Sequence, residues 1–286
     1  MNYLSPLRYP GGKRKLENQI INLIQINNYE NGIYVEPFAG GAAVALKLLF
    51  DGHVKSIHIN DLDYSIYCFW KSVTEYNSEL IELIYNTPVN TSEWIKQKEI
   101  QGKFNDSTIL ELGFSTFYLN RTNVSGIIKG GIIGGLEQKG KYKIDARFNK
   151  INLVERIKAI GNYAASIEVT NLCVRELIIE KLLHTSEKKF IYFDPPYYEK
   201  GPELYRNHLV NEDHLEIAEM IKGIKNHYWV VTYDNVPEIN EMYSSVRSKS
   251  YSLNYSAGRV SKGKEVMFFS DNLKLEYADD DIKVVI

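Results

Sequence analysis

Hydrophobic residues along this chain follow two patterns. From about residue 32, short apolar runs are separated by amphipathic stretches, and this alternation is typical of a sheet covered by helices. The first unit has predicted strands at 33–38 and 56–60 around a predicted helix at 42–50. Later strands are predicted at 167–170, 189–193 and 229–233, followed by a hairpin of 250–255 against 265–270. The pattern therefore predicts an α/β fold.

The stretch from about 62 to 159 has helical spacing and lacks convincing strand patterns. Six glycines lie between positions 126 and 140 of this stretch. Because glycine costs about 1 kcal/mol relative to alanine in a helix, this part is predicted to be a loop or an irregular hairpin. We expect a main domain formed by residues 1–62 and 160–286, with a helical insertion at 63–159.

Composition narrows the class of protein. The 286 residues are 44% hydrophobic and 24% charged, which is enough apolar material for a large buried core. Cys68 and Cys173 form no CxxC pair, so neither a disulfide framework nor a cysteine zinc site is predicted, and a reducing, cytoplasmic location fits. No signal peptide or long apolar segment is recognisable, so no membrane association is expected. The histidines show no metal-ligand spacing, and no metal is predicted.

The charge is nearly balanced overall but not locally. The formal net charge is −2, which gives no global attraction for nucleic acid. Residues 121–158 nevertheless hold nine basic residues against three acidic ones, a net charge of +6. Such a run alone is more typical of a solvated face. Because the whole chain carries no excess of positive charge, any nucleic-acid surface on this protein must be a local patch.

The first chemical motif is Glu36-Pro37-Phe38-Ala39-Gly40-Gly41-Ala42, where the first predicted strand meets the first helix. A helix N-terminus and a backbone without Cβ atoms allow a ligand to approach closely there. Asp61 follows the second strand, at the distance where an acidic side chain can accept hydrogen bonds from ribose hydroxyls. Together the two features indicate a cofactor that carries a nucleoside, although the paired glycines also suit an ordinary strand-to-helix turn.

The second motif, Asp194-Pro195-Pro196-Tyr197, directly follows the apolar run Phe190-Ile191-Tyr192-Phe193. Two prolines stiffen the backbone and remove two N–H donors, so the turn is rich in hydrogen-bond acceptors. Asp194 and the Pro195 carbonyl are suited to accept the two hydrogens of an exocyclic amine while Tyr197 stacks on the ring. Adenine is such a ring.

These motifs occur in a recognisable order. Tyr9-Pro10-Gly11-Gly12-Lys13, the segment 36–41, Asp61, Asn120-Arg121 and the segment 194–197 follow one another along the chain. This order resembles the Dam-type DNA adenine-N6 methyltransferases, the class with the DPPY motif, over nearly the whole chain. Segments 229–235 and 263–266 resemble the strand that backs the target pocket and the closing hairpin of that family.

The resemblance implies a Rossmann-like fold, S-adenosylmethionine as methyl donor, and site-specific methylation of a flipped-out adenine in DNA. Asp194, Pro195, Pro196 and Tyr197 would form the catalytic turn. The implied cofactor-binding residues are Tyr9, Gly11, Gly12, Lys13, Glu36, Phe38, Gly40, Gly41, Asp61 and Asp194. The family usually has glycine where this chain has Ala42, and the acidic residue often found after the middle strand is replaced near 171–173.

The helical insertion would contact double-stranded DNA. Arginine pairs with guanine and asparagine with adenine in the major groove, so Arg121 and Asn123 are predicted base readers. Phosphate contacts are predicted for Lys129, Lys139, Lys141, Lys143 and Arg147. A cognate restriction endonuclease is a further candidate partner.

Several other functions remain open from the residues alone. The same turn can present an acceptor-rich pocket to cytosine in DNA, to adenine in RNA or to a glutamine side chain. A catalytically silent DNA-binding regulator is a second alternative, against which the intact Asp194 and Tyr197 argue. A nicotinamide-dependent oxidoreductase is a third, and the missing GxGxxG motif argues against it.

Overall fold

Eight strands form one sheet in the computed structural model, which describes residues 5–8, 16–199, 209–255, 261–275 and 284–285. The strands are β1 (Gly32–Glu36), β2 (Val54–Asn60), β3 (Ile167–Thr170), β4 (Lys189–Phe193), β5 (Tyr228–Asp234), β6 (Arg247–Tyr255), β7 (Ser261–Phe269) and β8 (Val284–Val285). Their order across the sheet is β3-β2-β1-β4-β5-β7-β6-β8. The five neighbouring strands β3, β2, β1, β4 and β5 run parallel to one another. Strand β7 is antiparallel to both β5 and β6.

The predicted strands are all present, and two of them, β3 and β4, have the predicted limits. The predicted register of the hairpin is wrong. Ser250 pairs with Val266 and Tyr255 with Ser261, so the first strand lies against 261–266 rather than 265–270. The reason is length: β6 and β7 each have nine residues, and antiparallel pairing brings the start of β7 to the end of β6.

Ten helices lie in the described residues: α1 (Glu17–Ile26), α2 (Ala43–Phe50), α3 (Tyr64–Glu75), α4 (Asn77–Asn86), α5 (Thr91–Gly102), α6 (Ile109–Thr122), α7 (Lys150–Gly161), α8 (Val174–Leu177), α9 (Asn211–Gly223) and α10 (Pro237–Met242). A π-helical segment, Ile178–Leu183, continues α8. Helix α1 was not predicted. Among the described residues, no helix is long and apolar enough to cross a membrane.

The segment from 63 to 159 consists of helices α3 to α7, short 3-10 turns and loops. Its glycine-rich part is an irregular loop, as expected, closed by a single antiparallel bridge between Asn123 and Ile132. Helix α6 shows why the segment folds as helices: Thr108 and Glu111 form a capping box at its start, which satisfies two otherwise unpaired N–H groups. None of the thirteen residues after Glu111 is a proline, so no proline interrupts the helix.

Two hydrophobic cores lie on opposite faces of the sheet. Tyr34, Phe190 and Val230 point into the core shared with α1 to α4, α6 and α7, while their neighbours Val35, Ile191 and Val231 point into the core with α8 to α10. This follows from the alternation of side chains along a strand. The helices of the 63–159 segment thus share one continuous core with one face of the sheet.

The topology also fixes where a ligand can bind. Strand order reverses between β1 and β4, since β1 leads to β2 and β3 on one side and β4 leads to β5 on the other. In open α/β sheets, ligands bind outside the carboxyl ends of the strands at such a switch point. Both predicted chemical motifs begin there, at the ends of β1 and β4.

Candidate active site

Three carboxyl groups mark the carboxyl-end edge of the sheet. Glu36 is the last residue of β1, and Asp61 and Asp194 directly follow β2 and β4. Because β1, β2 and β4 are parallel neighbours, their ends meet at one edge. The sequence-predicted cofactor and catalytic motifs are therefore brought together by the fold.

The turn between β1 and α2 is tight and uses left-handed backbone. Gly40 has φ +46° and Ala42 has φ +45°, a region that favours glycine and that costs an alanine roughly 1–2 kcal/mol. Ala42 occupies the position where the resembled family usually has glycine, and the backbone shows the conformational reason for that preference. The turn is held from outside by the Trp70 indole, whose Nε1 donates to the Gly40 carbonyl at 2.9 Å.

Asp61 links this turn to the end of β2. Its Oδ2 accepts from the Gly40 N–H at 2.8 Å, and its Oδ1 accepts from the Asp63 N–H at 2.9 Å. Burial raises the pKa of Asp61 to about 7, and the nearby Asp63 charge adds to that rise. The carboxyl group is thus positioned by two backbone donors at the predicted cofactor turn.

Asn60 joins the ends of three strands, a role that sequence reasoning missed. Its Nδ2 donates to the carbonyls of Pro37 and Leu172 at 2.9 and 3.0 Å. Its Oδ1 accepts from the Thr170 hydroxyl at 2.8 Å and from the Leu172 N–H at 2.9 Å. Asn60 is 2% exposed, so this amide braces the ends of β1, β2 and β3 from inside the protein.

The Asp194 turn is held by strand β5. The Asp194 Oδ1 accepts from the Thr232 hydroxyl at 2.9 Å, and since that hydroxyl has one hydrogen to give, the Tyr192 hydroxyl donates to Thr232, also at 2.9 Å. On the other side of the turn, the Asp234 carboxylate accepts from the Tyr198 and Glu199 N–H groups at 2.9 and 3.0 Å. These bonds fix both ends of the turn.

Tyr197 lies in the same turn and is buried. Its hydroxyl donates to Glu265 Oε1 at 2.5 Å, and the Tyr251 hydroxyl donates to Glu265 Oε2 at 2.6 Å. Burial, with the charges of Asp194 and Glu265, holds the pKa of Tyr197 far above its ordinary value. The phenol therefore stays protonated and acts as a donor.

Glu36, like Asp61, is a buried carboxyl group with a raised pKa. Burial raises its pKa to about 8, and the Asp194 charge contributes, although hydrogen bonds from the Tyr34 hydroxyl at 3.0 Å and the Ala45 N–H at 2.9 Å oppose the rise. An isolated pair of buried carboxylates repels, so one tends to hold its proton. A cationic ligand beside them would relieve that repulsion.

This group of carboxylate acceptors fits S-adenosylmethionine. The cofactor carries a positive sulfonium, a positive amine and ribose hydroxyls, and each of these is complementary to carboxylate oxygens. The site supplies Glu36, Asp61 and Asp194 at one edge, next to a tight turn with left-handed backbone at Gly40. The predicted cofactor residues Tyr9, Gly11, Gly12 and Lys13 lie outside the described residues.

The predicted DNA-binding residues occupy the 120–147 part of the helical segment. Arg121 Nε donates to the Arg147 carbonyl at 2.9 Å. Burial, together with the charges of Arg8, Arg156 and Arg147, lowers the pKa of Arg121 to about 9, so several guanidinium groups lie close together. Four lysines and Arg147 are exposed on the adjoining loop: Lys129, Lys139, Lys141 and Lys143.

Asn123 does not fit the predicted role of base reader. Its side chain is fully buried, and its Oδ1 accepts from the Trp94 indole at 2.7 Å. Its Nδ2 donates to the carbonyls of Ile127 and Ile128 at 2.8 and 2.9 Å. With every donor and acceptor used inside the protein, this amide holds the loop in shape and has no polar atom left for a base edge.

Asn120 has a similar structural role. It is 1% exposed, its Oδ1 accepts from the Arg8 N–H at 2.7 Å, and its Nδ2 donates to the carbonyls of Arg8 and Gly126 at 2.8 and 2.9 Å. Arg8 also donates to the Asn123 carbonyl at 3.1 Å. These bonds attach the segment 5–8 to the basic part of the chain.

The residues that sequence reasoning missed are mainly supports. Thr232, Asp234 and Glu265 contact the Asp194–Tyr197 turn, and Asn60 supports the cofactor turn. A signal was present for three of them, because 229–235 and 263–266 were recognised as segments that resemble the pocket wall and closing hairpin. No cluster of three or more potential metal ligands is found among the described residues.

Comparison with known proteins places this site in a family. The sheet, with its glycine turn and its carboxyl groups at the switch point, has the architecture expected of an S-adenosylmethionine-dependent methyltransferase. The profile of the D12 class N6 adenine-specific DNA methyltransferases matches residues 9–257. The chain is also 28% identical over 207 residues to the type II methyltransferase M.MjaIII of Methanocaldococcus jannaschii, covering 67% of this chain and 68% of that protein.

Several solved structures resemble the chain more distantly. The rRNA methyltransferase aviRa of Streptomyces viridochromogenes is 13% identical with a TM-score of 0.40, over 93% of this chain and 88% of that one. The hMettl16 catalytic domain in complex with an RNA hairpin is 10% identical with a TM-score of 0.42, over 95% and 77%. Membership of the family is shown by the family profile, and these distant structures add nothing to it.

The chain belongs to the D12 class N6 adenine-specific DNA methyltransferase family. It is an enzyme that transfers a methyl group from S-adenosylmethionine to the N6 amine of adenine in DNA. The expected family, reaction, cofactor and Rossmann-like α/β fold are thereby confirmed. The alternatives of another methyl acceptor, a silent regulator and a nicotinamide-dependent oxidoreductase are set aside.

Proposed function

We propose that the Asp194–Tyr197 turn receives a flipped-out adenine and that the edge formed by Glu36, Gly40 and Asp61 holds the methyl donor beside it. The observation that carries this proposal is the position of both motifs at one switch point, with Asp194 fixed by Thr232. S-adenosylmethionine, when bound, supplies a methyl group that is electrophilic because it is attached to a positive sulfur.

The proposed role of Asp194 and Pro195 is to make the amine a better nucleophile. The lone pair of the adenine N6 is delocalised into the ring, and acceptors that bind both N–H hydrogens localise it on nitrogen. Since Asp194 is already oriented by Thr232 and the following backbone is bound by Asp234, little reorganisation is needed. Such positioning can contribute on the order of 7–11 kcal/mol to lowering a barrier.

Tyr197 is the proposed stacking wall for the extruded base. Extrusion from a duplex costs a few kcal/mol, and stacking on an aromatic ring returns about 1–3 kcal/mol. The phenol oxygen is occupied by Glu265, so the stacking role falls to the ring.

The helical insertion at 63–159 is the proposed recognition part, within a catalytic domain of 1–62 and 160–286. Burial, and after it the charges of neighbouring arginines, lowers the pKa of Arg8 and of Arg121, so an anion beside these guanidinium groups would be stabilised. A phosphate of double-stranded DNA is such an anion, and the exposed lysines of the loop extend the positive surface. Base reading by Arg121 stays part of this proposal.

A restriction-modification role is also proposed. The M.MjaIII relative is a type II methyltransferase, and the same role here would pair the chain with a restriction endonuclease that cuts the unmethylated site. Resistance of host DNA to a co-expressed endonuclease, seen only with the active enzyme, would support this pairing.

The test of the proposed site is Asp194→Asn, which keeps the size of the side chain and one acceptor oxygen but removes the charge. By analogy with loss of a single stabilising group at other active sites, we expect kcat for methylation of a double-stranded oligonucleotide to fall by about 100- to 1,000-fold. Tritium transfer from labelled S-adenosylmethionine measures it.

Two controls accompany this variant. Glu82→Gln neutralises an exposed carboxylate on α4 and is expected to leave kcat unchanged. Thermal melting and DNA binding by Asp194→Asn should stay near wild type. A kcat within threefold of wild type in a folded Asp194→Asn enzyme would contradict the assigned role.

A further inference from the structure

A buried carboxylate on the closing hairpin contacts the proposed catalytic turn. Glu265 lies in β7, paired with Asp234 of β5 and with Tyr251 of β6. It is 1% exposed. Its two oxygens accept separate phenol hydrogens, from Tyr197 at 2.5 Å and from Tyr251 at 2.6 Å. A glutamate in this position links the hairpin to the turn that receives the substrate.

Burying a carboxylate costs several kcal/mol unless hydrogen bonds compensate. Here two phenol hydrogen bonds compensate. An apolar residue would offer these phenols no acceptor, and glutamine has one acceptor oxygen where the carboxylate has two. The carboxylate is therefore matched to both phenols, and one of them belongs to Tyr197.

The Tyr197 side chain is fixed at both ends by this arrangement. At the backbone end, Asp234 binds the N–H groups of Tyr198 and Glu199. At the far end, Glu265 holds the hydroxyl. A tyrosine ring held in this way cannot turn about its first side-chain bond without breaking a short, charge-assisted hydrogen bond. The ring is preorganised before any base arrives.

We propose that Glu265 is a positioning residue for methyl transfer: it holds the Tyr197 ring in the orientation that stacks on the extruded adenine, with Tyr251 bracing the carboxylate from the hairpin side. This inference rests on the proposed function, since it assumes that Tyr197 is the stacking wall. Glu265 acts through Tyr197 and does not contact the reacting atoms.

The role of Tyr251 follows from its place on β6. It shares the Glu265 carboxylate with Tyr197 but donates to the other oxygen. Removing its hydroxyl weakens the support of Glu265 without touching the Tyr197 hydrogen bond. Tyr251→Phe is therefore a matched control for the structural cost of losing one phenol donor from this carboxylate.

The experiment uses DNA with 2-aminopurine in place of the target adenine, because the fluorescence of this base reports stacking after extrusion. Four variants are compared with wild type: Glu265→Gln, Tyr197→Phe, the double variant Tyr197→Phe/Glu265→Gln, and Tyr251→Phe. Tyr197→Ala defines the signal of a site without a stacking wall. Steady-state kcat, KM for DNA and thermal melting are measured for each.

Glu265→Gln is expected to move the bound 2-aminopurine signal at least halfway to that of Tyr197→Ala, and to lower kcat about tenfold while KM for DNA changes less than twofold. The double variant should be no slower than Tyr197→Phe alone, because both changes remove one interaction. Tyr251→Phe should lower the melting temperature and move the signal less than Glu265→Gln does, because Glu265 keeps its hydrogen bond to Tyr197.

Two results would overturn the proposal. One is a Glu265→Gln enzyme with the wild-type signal and kcat, which would leave Glu265 a purely structural residue. The other is additive losses in the double variant. If Glu265→Gln does not fold, Glu265→Asp, which keeps the charge on a shorter side chain, gives the same comparison. A wild-type signal and kcat in Tyr197→Ala would instead refute the stacking role of Tyr197, and thus the proposed function.

Discussion

The carboxyl-end edge of the sheet and the basic part of the helical segment hold their charges in opposite ways. Glu36 accepts from the Ala45 N–H of α2 and from the Tyr34 hydroxyl. Asp61 accepts from the N–H groups of Gly40 and Asp63, and burial raises the pKa of both carboxyl groups. The lysines of the loop around 129–143 lie exposed instead, while buried asparagines shape the loop beneath them. The proposed role of the first region is to enclose a small cationic ligand, and that of the second is to present charge to a large anionic surface.

The contrast between these two regions shows which part of a site a short sequence motif can define. At the strand ends, the motif residues form the turn and are also the residues proposed to carry the chemistry. In the basic segment, the residues that shape the loop and those that face outward alternate along the chain, so neighbouring polar residues have different roles. Arg121 and Asn123 are two positions apart, yet only Asn123 is fully buried.

The largest expected effect comes from removing a buried amide in the basic region. Asn123→Ala leaves the Trp94 indole and the carbonyls of Ile127 and Ile128 without their partner. Each unsatisfied buried group costs about 1–3 kcal/mol, so we expect the free energy of unfolding to fall by about 2–4 kcal/mol. Urea denaturation measures it.

The control for this prediction is Asn152→Ala, an exposed asparagine on α7, which should stay within about 0.5 kcal/mol of wild type. If Asn123→Ala proved as stable as wild type but lost sequence preference on DNA, Asn123 would read bases after all. The distinction between supporting and outward-facing residues in this segment would then be wrong.

The next effect concerns the arginines of the same region. Arg121→Ala and Arg147→Ala are each expected to weaken DNA binding about tenfold. A lost phosphate contact should also reduce the slope of log affinity against log salt by about one. Fluorescence anisotropy over a salt series measures both quantities.

The control is Lys225, which is exposed and lies outside the basic segment. Lys225→Ala should change neither the DNA affinity nor its salt slope. If Arg121→Ala relaxed the sequence preference of DNA binding and left the salt slope unchanged, Arg121 would be a base contact. An unchanged affinity in both arginine variants would remove DNA binding from this surface.

The fold was largely predictable because the central strands β1, β4 and β5 are short, mainly apolar and bounded by turn residues. Strands β3 and β4 have the predicted limits, and the two chemical motifs lie where the pattern placed them. The hairpin register was missed because it depends on the full lengths of β6 and β7, and local alternation does not determine those lengths.

The supports of the site were less predictable for a physical reason. Glu265 is 68 positions from Tyr197, and Thr232 is 38 positions from Asp194, so their contacts exist only once the sheet has formed. The burial of Asn123 was equally invisible, since an asparagine beside an arginine in a basic run suits a DNA contact as well as a loop support.

The smallest expected effect tests the electrostatics of the carboxyl region. The native Glu36 carboxyl, with a pKa of about 8, binds its proton more tightly than the unfolded one, whose pKa is near 4.5. The native state therefore holds more protons between these values, and Glu36 lowers stability as pH rises through that window. Glu36→Gln removes this dependence and keeps the acceptor for Tyr34 and Ala45.

Between pH 6 and 8, the cofactor-free wild type is expected to lose about 1 kcal/mol more per pH unit than Glu36→Gln. Urea denaturation at the two pH values measures the difference, with Glu155→Gln, an exposed glutamate on α7, as the control that should follow wild type. Parallel pH profiles for wild type and Glu36→Gln would mean that Glu36 is ionised and compensated in the free enzyme. The contrast between a buried carboxyl region awaiting a cation and an exposed basic surface would then lose its electrostatic basis.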